Sequence, residues 1–370
     1  MASGVGMEEY KPCAAMVVAQ CIYAAMSLWA KAVFTRGMSP MVFVVYRQAI
    51  ATVVLVPITI VANRRKMKEM SLGMTGFSLV FAASLFGATI NQYMYYQGLH
   101  LGSSSMATAM TNLIPAFTFL MAASVGLERL DVRKSRSLAK IFGTVVCVGG
   151  AMAMAFFKGP KLLNYSLSDL TMLHSSASSK WVMGALFLVG SSSCWSLWLI
   201  LQVPICKSYV DPLTLSAWMC FLSTLQSALL VSFLLPDVNA WKIHSLFELS
   251  CCLFAGAFGS GVTFYLQSWC ISVRGPLYSA MFNPLCTVIT TVLAAIVLHE
   301  ELHVGSLLGA IAVVGGLYIV LWGKAGDGKS GRSPEHTEDL EKTMARSDSQ
   351  VDVGDTITEP LLADGDPTEK

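Results

Sequence analysis

Ten times along the chain, about twenty consecutive residues run with hardly a charge among them, the length an α-helix needs to cross a hydrocarbon core about 30 Å thick. The expected spans are 12–33, 41–62, 74–97, 104–125, 138–157, 181–203, 213–235, 249–272, 277–298 and 304–322. Backbone in lipid must satisfy its own hydrogen bonds, so such stretches fold as helices. The chain therefore reads as an all-α integral membrane protein. A soluble enzyme is the wrong class: charged residues make up 13% of the 370, about half the usual share. The first span is too long for the apolar part of a cleavable signal and follows Glu8 and Glu9 rather than a basic run, so it is expected to remain in the mature protein.

Charge sets the expected orientation. With the N-terminus inside, the inner loops hold Arg64, Arg65, Lys66, Lys68, Arg129, Arg133, Lys134, Arg136, Lys140, Lys207 and Arg274. The outer loops hold only Arg36, Lys158, Lys161, Lys180 and Lys242. Positive charge collects on the cytoplasmic side, so both termini are expected there. This basic balance marks topology and gives no reason to expect nucleic acid. Residues 1–11 are a cytoplasmic N-terminus, and residues 323–370, with 6 Lys/Arg against 12 Asp/Glu, read as a disordered acidic tail. The string Glu359-Pro360-Leu361-Leu362 in that tail has the look of a weak sorting signal.

Three tempting motifs carry less than their letters suggest. Gly323 to Ser330 spells a phosphate-loop pattern, but that loop works between a strand and a helix, so no ATP is expected. Eight of the ten cysteines lie within apolar runs and none has metal-ligand spacing, so neither a disulfide framework nor a cofactor is implied. Asn164-Tyr165-Ser166 is a glycosylation acceptor, expected outside or in a lumen within the linker 158–180.

The two halves repeat. Ser27-Leu28-Trp29 returns as Ser196-Leu197-Trp198, Phe86-Gly87 with Tyr93 as Phe258-Gly259 with Tyr265, and Ala109-Met110 with Asn112 as Ala280-Met281 with Asn283. Gly143 with Gly149-Gly150 returns as Gly309 with Gly315-Gly316. Five helices per copy, an odd number, make the second copy enter from the opposite face. Residues 12–157 and 181–322 are then inverted five-helix repeats, a design suited to secondary transporters because it makes the two access states near mirror packings.

The ten-span plan, the string Tyr46-Arg47-Gln48-Ala49-Ile50-Ala51, the turn Asn112-Leu113-Ile114-Pro115-Ala116 and the terminal Gly315 to Lys324 resemble the EamA domains of the drug/metabolite transporter superfamily. Within it they are most similar to the plant nodulin-21-like UMAMIT group, the Walls-Are-Thin-related proteins. The likeness covers residues 10–324. It implies export or bidirectional transport of amino acids, with auxin the substrate of one branch, in the plasma membrane or the tonoplast.

Where a solute would sit follows from polarity inside the spans. The amides Gln20, Asn91, Gln92, Asn112, Gln202, Gln226, Gln267 and Asn283 offer donors and acceptors without the desolvation cost of fixed charge. Any one of them also serves as glue between helices. Asn112 and Asn283 are preferred for the cavity because Pro115 and Pro284 free backbone groups beside them. Tyr93 and Tyr265 join them because the repeat duplicates both. Arg47, the one charge read as lying well inside a span, is either a gate and solute-carboxylate partner or a structural arginine. Glu128, His299, Glu300 and Glu301 read as loop residues, with proton coupling the alternative. The glycines at 87, 98, 149, 150, 259, 315 and 316 read as close helix contacts. The function expected is facilitated transport of amino acids or similar zwitterions, with no enzymatic step. The alternatives are an auxin-like indole acid carrier, a carrier of anionic phosphates or nucleotide sugars, which should hold more buried cations, and a scaffold presenting the acidic tail.

Overall fold

Apolar runs of this length carry no strand-like alternation, and the computed structural model of the chain is helical throughout the described residues, 2–64, 72–101, 104–128, 135–156, 179–235, 238–297 and 304–325. The first half holds α1 (Ala2–Phe34), α2 (Pro40–Ala62), α3 (Gly73–Ser84), α4 (Asn91–Leu101), α5 (Ser104–Thr111), α6 (Ile114–Ser124) and α7 (Ser135–Phe156). The second holds α8 (Ser179–Ser208), α9 (Pro212–Leu234), α10 (Leu246–Phe254), α11 (Thr263–Arg274), α12 (Pro276–Met281), α13 (Asn283–Val297) and α14 (Val304–Ala325). Asn164, His299, Glu300, Glu301 and the acidic tail lie outside the described residues.

Eight helical stretches are long and apolar enough to cross a membrane, among them Gly73–Leu101 and Leu246–Arg274, which run through two helices each. At the other two expected places stand α7 and α14, whose described apolar stretches, Ser137–Gly150 and Leu308–Gly323, are shorter. At most half of each long span is buried. Leu120, Phe142, Leu229, Ile296 and Tyr318 are each more than 60% exposed. Such apolar surface suits lipid, not water. This is a multi-pass membrane protein.

Two irregularities recur in matching places. A π-helical turn, Leu85–Ile90, joins α3 to α4, and another, Ala255–Val262, joins α10 to α11. Such wide turns bend a helix and leave carbonyls for side chains to satisfy; Thr263 donates to the Gly259 carbonyl at 2.8 Å. Each turn also brings a glycine against the first helix of the other half. A Cβ on Gly87 would fall 2.2 Å from the Trp198 ring, and one on Gly259 would fall 2.4 Å from the Met26 sulfur. The second irregularity is a break at a proline. Pro115 stands at the start of α6 and Pro284 at the start of α13. Proline has no N–H to continue the ladder, so the helix is interrupted and begins again there. The π turns were not legible in the spans; the proline breaks were.

Helix directions follow from which residues meet. Met16, Gln20 and Ser27 of α1 meet Ser279, Asn283 and Thr290, so α1 runs parallel to α12 and α13. Ser192 and Ser196 of α8 donate to the carbonyls of Met110 and Ile114, giving the same parallel relation between α8 and the α5–α6 break. α7 and α14 run antiparallel: Gly143 lies against Val320, Cys147 against Gly316 and Gly150 against Val313. Of the glycines read as contacts, 87, 98, 150, 259 and 316 are tight, whereas Gly149 and Gly315 face open space. Gly143 takes the place expected for them, because successive residues on a helix point about 100° apart.

Candidate functional site

α1 sends two polar side chains, Gln20 and Tyr23, from one face near the middle of its Tyr10–Phe34 span. Residues three apart on a helix share a face. Gln20 is fully buried and donates through Nε2 to Asn283 Oδ1 at 3.4 Å. The Tyr23 hydroxyl donates to Gln267 Oε1 of α11 at 3.0 Å. One turn beyond Asn283, the Thr287 hydroxyl donates to Asn112 Oδ1 at 3.0 Å. The Tyr23 ring meets Trp195 edge-on at 6.5 Å, and Trp195, Trp198 and Phe264 continue as an aromatic wall. A polar centre thus forms where α1, α8, α11, α13 and the α5–α6 break converge.

Several of its buried polar atoms have no hydrogen-bond partner: Asn112 Nδ2, Asn283 Nδ2, Gln267 Nε2 and Trp195 Nε1. A buried donor left unmade costs about 1–3 kcal/mol, which a folded chain tolerates where something else is to be met. Around the centre, Arg47 is 5% exposed, and its guanidinium reaches Met26 Sδ at 3.8 Å while Nε is idle. Its neighbour Gln48 is fully buried with both amide atoms idle.

Of the residues picked from the sequence, Gln20, Asn112, Gln267 and Asn283 come together, with Pro115 and Pro284 buried at the breaks beside them. Asn91 does not join: it donates to the Ser191 carbonyl at 2.8 Å and hydroxyl at 3.1 Å, holding α4 to α8. Tyr265 is 37% exposed and Tyr93 half-buried, and neither takes part in these hydrogen bonds. Gln202 accepts from Ser268 at 2.6 Å, and Gln226 bonds Thr89 and the Phe81 carbonyl, as glue. Asn91→Ala is accordingly expected to cost about 1–3 kcal/mol of stability, read as a lower melting temperature, while leaving any solute affinity unchanged; a selective loss of affinity would place Asn91 in the site instead.

Sequence reasoning missed Tyr23, Thr287 and Gln48. The signal for the first two was spacing: Gln20 with Tyr23 and Asn283 with Thr287 each fall on one helix face. Glu128 needs correction. It lies in the bend after α6, as a loop residue does, yet it is 8% exposed and meets Lys140 Nζ at 3.3 Å, and Lys140 is itself buried. Arg47 is thus not the one buried cation. Lys140 lies close enough to the start of its span to have been counted as a topology charge.

Comparison with known proteins bears on this arrangement. The pattern of the EamA-like transporter family matches twice, over residues 11–156 and 182–322. Two WAT1-related proteins of Arabidopsis thaliana are 44% and 45% identical, each covering 96% of this chain and 98% and 99% of their own length. Protein WALLS ARE THIN 1 of the same plant is 33% identical over 94% of this chain and 92% of its own. A solved crystal structure shares the fold at TM-score 0.64, with 17% identity, over 84% of this chain and 96% of that one. The chain belongs to the EamA-like transporter family, among its WAT1-related proteins.

Proposed function

We propose that this membrane transporter moves amino acids or similar small zwitterions by alternating access around the polar centre. The observation that carries the reading is the set of buried amides left without partners where α1, α11, α13 and the α5–α6 break meet. Amides can bind a zwitterion and release it, because they impose no fixed charge that must be desolvated on every cycle. Ten crossings in two inverted halves complete the proposal. The family pattern matching twice, the π turns and proline breaks at corresponding places, and the antiparallel packing of equivalent helices α7 and α14 support it. The lysine and arginine balance supports cytoplasmic termini, and the plasma membrane is the location proposed, with the tonoplast the alternative.

The test is flux of a labelled amino-acid mixture into proteoliposomes. Wild type should exceed empty vesicles, and Asn112→Ala or Asn283→Ala should lower flux about tenfold, the effect of one lost hydrogen bond of about 1.4 kcal/mol. Absence of flux in wild type would favour a scaffold. A second reading, indole acids, draws on the aromatic wall of Tyr23, Trp195, Trp198 and Phe264.

A further inference from the structure

α7 and α14 pack so closely at their glycines that a Cβ on Gly143 would fall 2.7 Å from Val320 Cγ2 and 2.8 Å from the Gly316 carbonyl oxygen. Larger side chains must stand to the side. Ser135, Leu138 and Phe142 of α7, spaced to share one helix face, join Tyr318, Ile319 and Trp322 of α14 around an open groove of about 480 Å³. That volume lies within the range of about 300–1,000 Å³ found for small-molecule sites. Phe142, Tyr318 and Trp322 are all more than half exposed, so the groove opens to the surroundings of the bundle, and no residue of the polar centre lines it.

One end of this groove is charged. Antiparallel packing puts the start of α7 and the end of α14 on the same side, and within two residues of Ser135 and Trp322 the sequence holds Arg133, Lys134, Arg136 and Lys324 with no acid among them. Two residues of chain span at most about 7 Å, so the backbone of all four stays beside the groove. Lys140, further along α7, is engaged by Glu128 and is not counted. We propose that the groove binds an anionic phospholipid, with one acyl chain lying between the walls of α7 and α14 and the headgroup meeting the four cations. Cations alone would mark topology, and an apolar cleft alone would take any lipid; joined, they match the two ends of one molecule. Tyrosine and tryptophan settle at headgroup depth, which puts Tyr318 and Trp322 where chain gives way to phosphate. Basic pockets between helices on the cytoplasmic side suit anionic headgroups, each cation adding about fivefold in affinity. A second copy of the chain fits this face less well, because a twofold dimer across it would bring the same cations together.

The test offers the detergent-solubilised full-length protein phosphatidylserine or phosphatidylcholine with identical acyl chains, and native mass spectrometry counts the lipid retained. Phosphatidylserine should be held at one molecule per chain and about a hundredfold more tightly than phosphatidylcholine. Lys134→Gln, Arg136→Gln and Lys324→Gln together should erase that preference. Ala139→Phe, at another residue lining the groove, fills the cleft and should abolish retention with every cation in place. Melting curves show whether each variant keeps its fold, and the wild-type ranking of the two lipids stands without them. Equal retention of both lipids by wild type overturns the proposal, as does a preference that survives Ala139→Phe. Stabilisation by glycerophosphoserine, the headgroup without chains, as strong as that by the lipid would also overturn it, since the site would then be one for a bare anion. A dimer formed in place of lipid retention would assign the face to a second copy instead. None of these readouts is flux, so the proposal stands or falls apart from the transport reading.

Discussion

Lys140→Met is expected to lower the stability of the solubilised protein by about 3–5 kcal/mol, the usual result of stripping one partner from a buried ion pair. Lys140 Nζ and Glu128 Oε2 are 3.3 Å apart with side chains 2% and 7% exposed. Without the ammonium, the carboxylate in the bend after α6 loses its contact with that charge in a poor dielectric, which costs free energy. Removing both charges should restore most of the loss, since an apolar pair of similar volume often matches a buried ion pair. The measurement is a double-mutant cycle of Lys140→Met and Glu128→Leu by thermal melting. A single variant that melts like wild type would mean that water reaches the pair and that α6 and α7 are tied by other contacts.

That pair also marks the limit of what the amino-acid order discloses. The helical class, the eight long apolar stretches and the proline breaks were legible because each is written in local composition: apolar length, or a residue without an N–H. Asn112 and Asn283 could be chosen for that reason, and each does accept a hydrogen bond from another helix, Asn283 from Gln20 and Asn112 from Thr287. Burial of a particular side chain is decided by a neighbour distant in the chain, and no local pattern records it. Lys140 reads as one more basic residue beside a loop, and Asn91 reads as well as Asn112 until Ser191 appears opposite it. The π turns escaped for a related reason: a helix of six or eight wide-wound residues has the same apolar content as a regular one. The duplicated Tyr265 takes part in none of the polar centre's hydrogen bonds, and no local pattern foretells that either.

The contact between α7 and α14 gives the sharpest separation of packing from composition, because two adjacent glycines on one helix stand in opposite circumstances. A Cβ on Gly316 would lie 2.6 Å from the backbone nitrogen of Cys147 and 2.8 Å from the Gly143 carbonyl oxygen, and backbone atoms cannot turn aside as a side chain would. Relief requires the helices to separate, which also parts Gly150 from Ala312 and Gly143 from Val320. Close approach of small residues is what holds helices together in lipid, where burial of apolar surface gives no net drive. Gly316→Ala should therefore destabilise by about 1–3 kcal/mol or more, as overpacking does. Gly315 faces nothing within 4 Å. There the same substitution should be neutral or stabilising by up to about 1 kcal/mol, because alanine is the better helix former. Thermal melting of the two variants, compared with Gly316→Ala carrying Val320→Ala, reads the difference. Equal effects at 315 and 316 would show that the helices do not meet along this seam, and with it would go the antiparallel pairing on which the inverted arrangement of the halves leans.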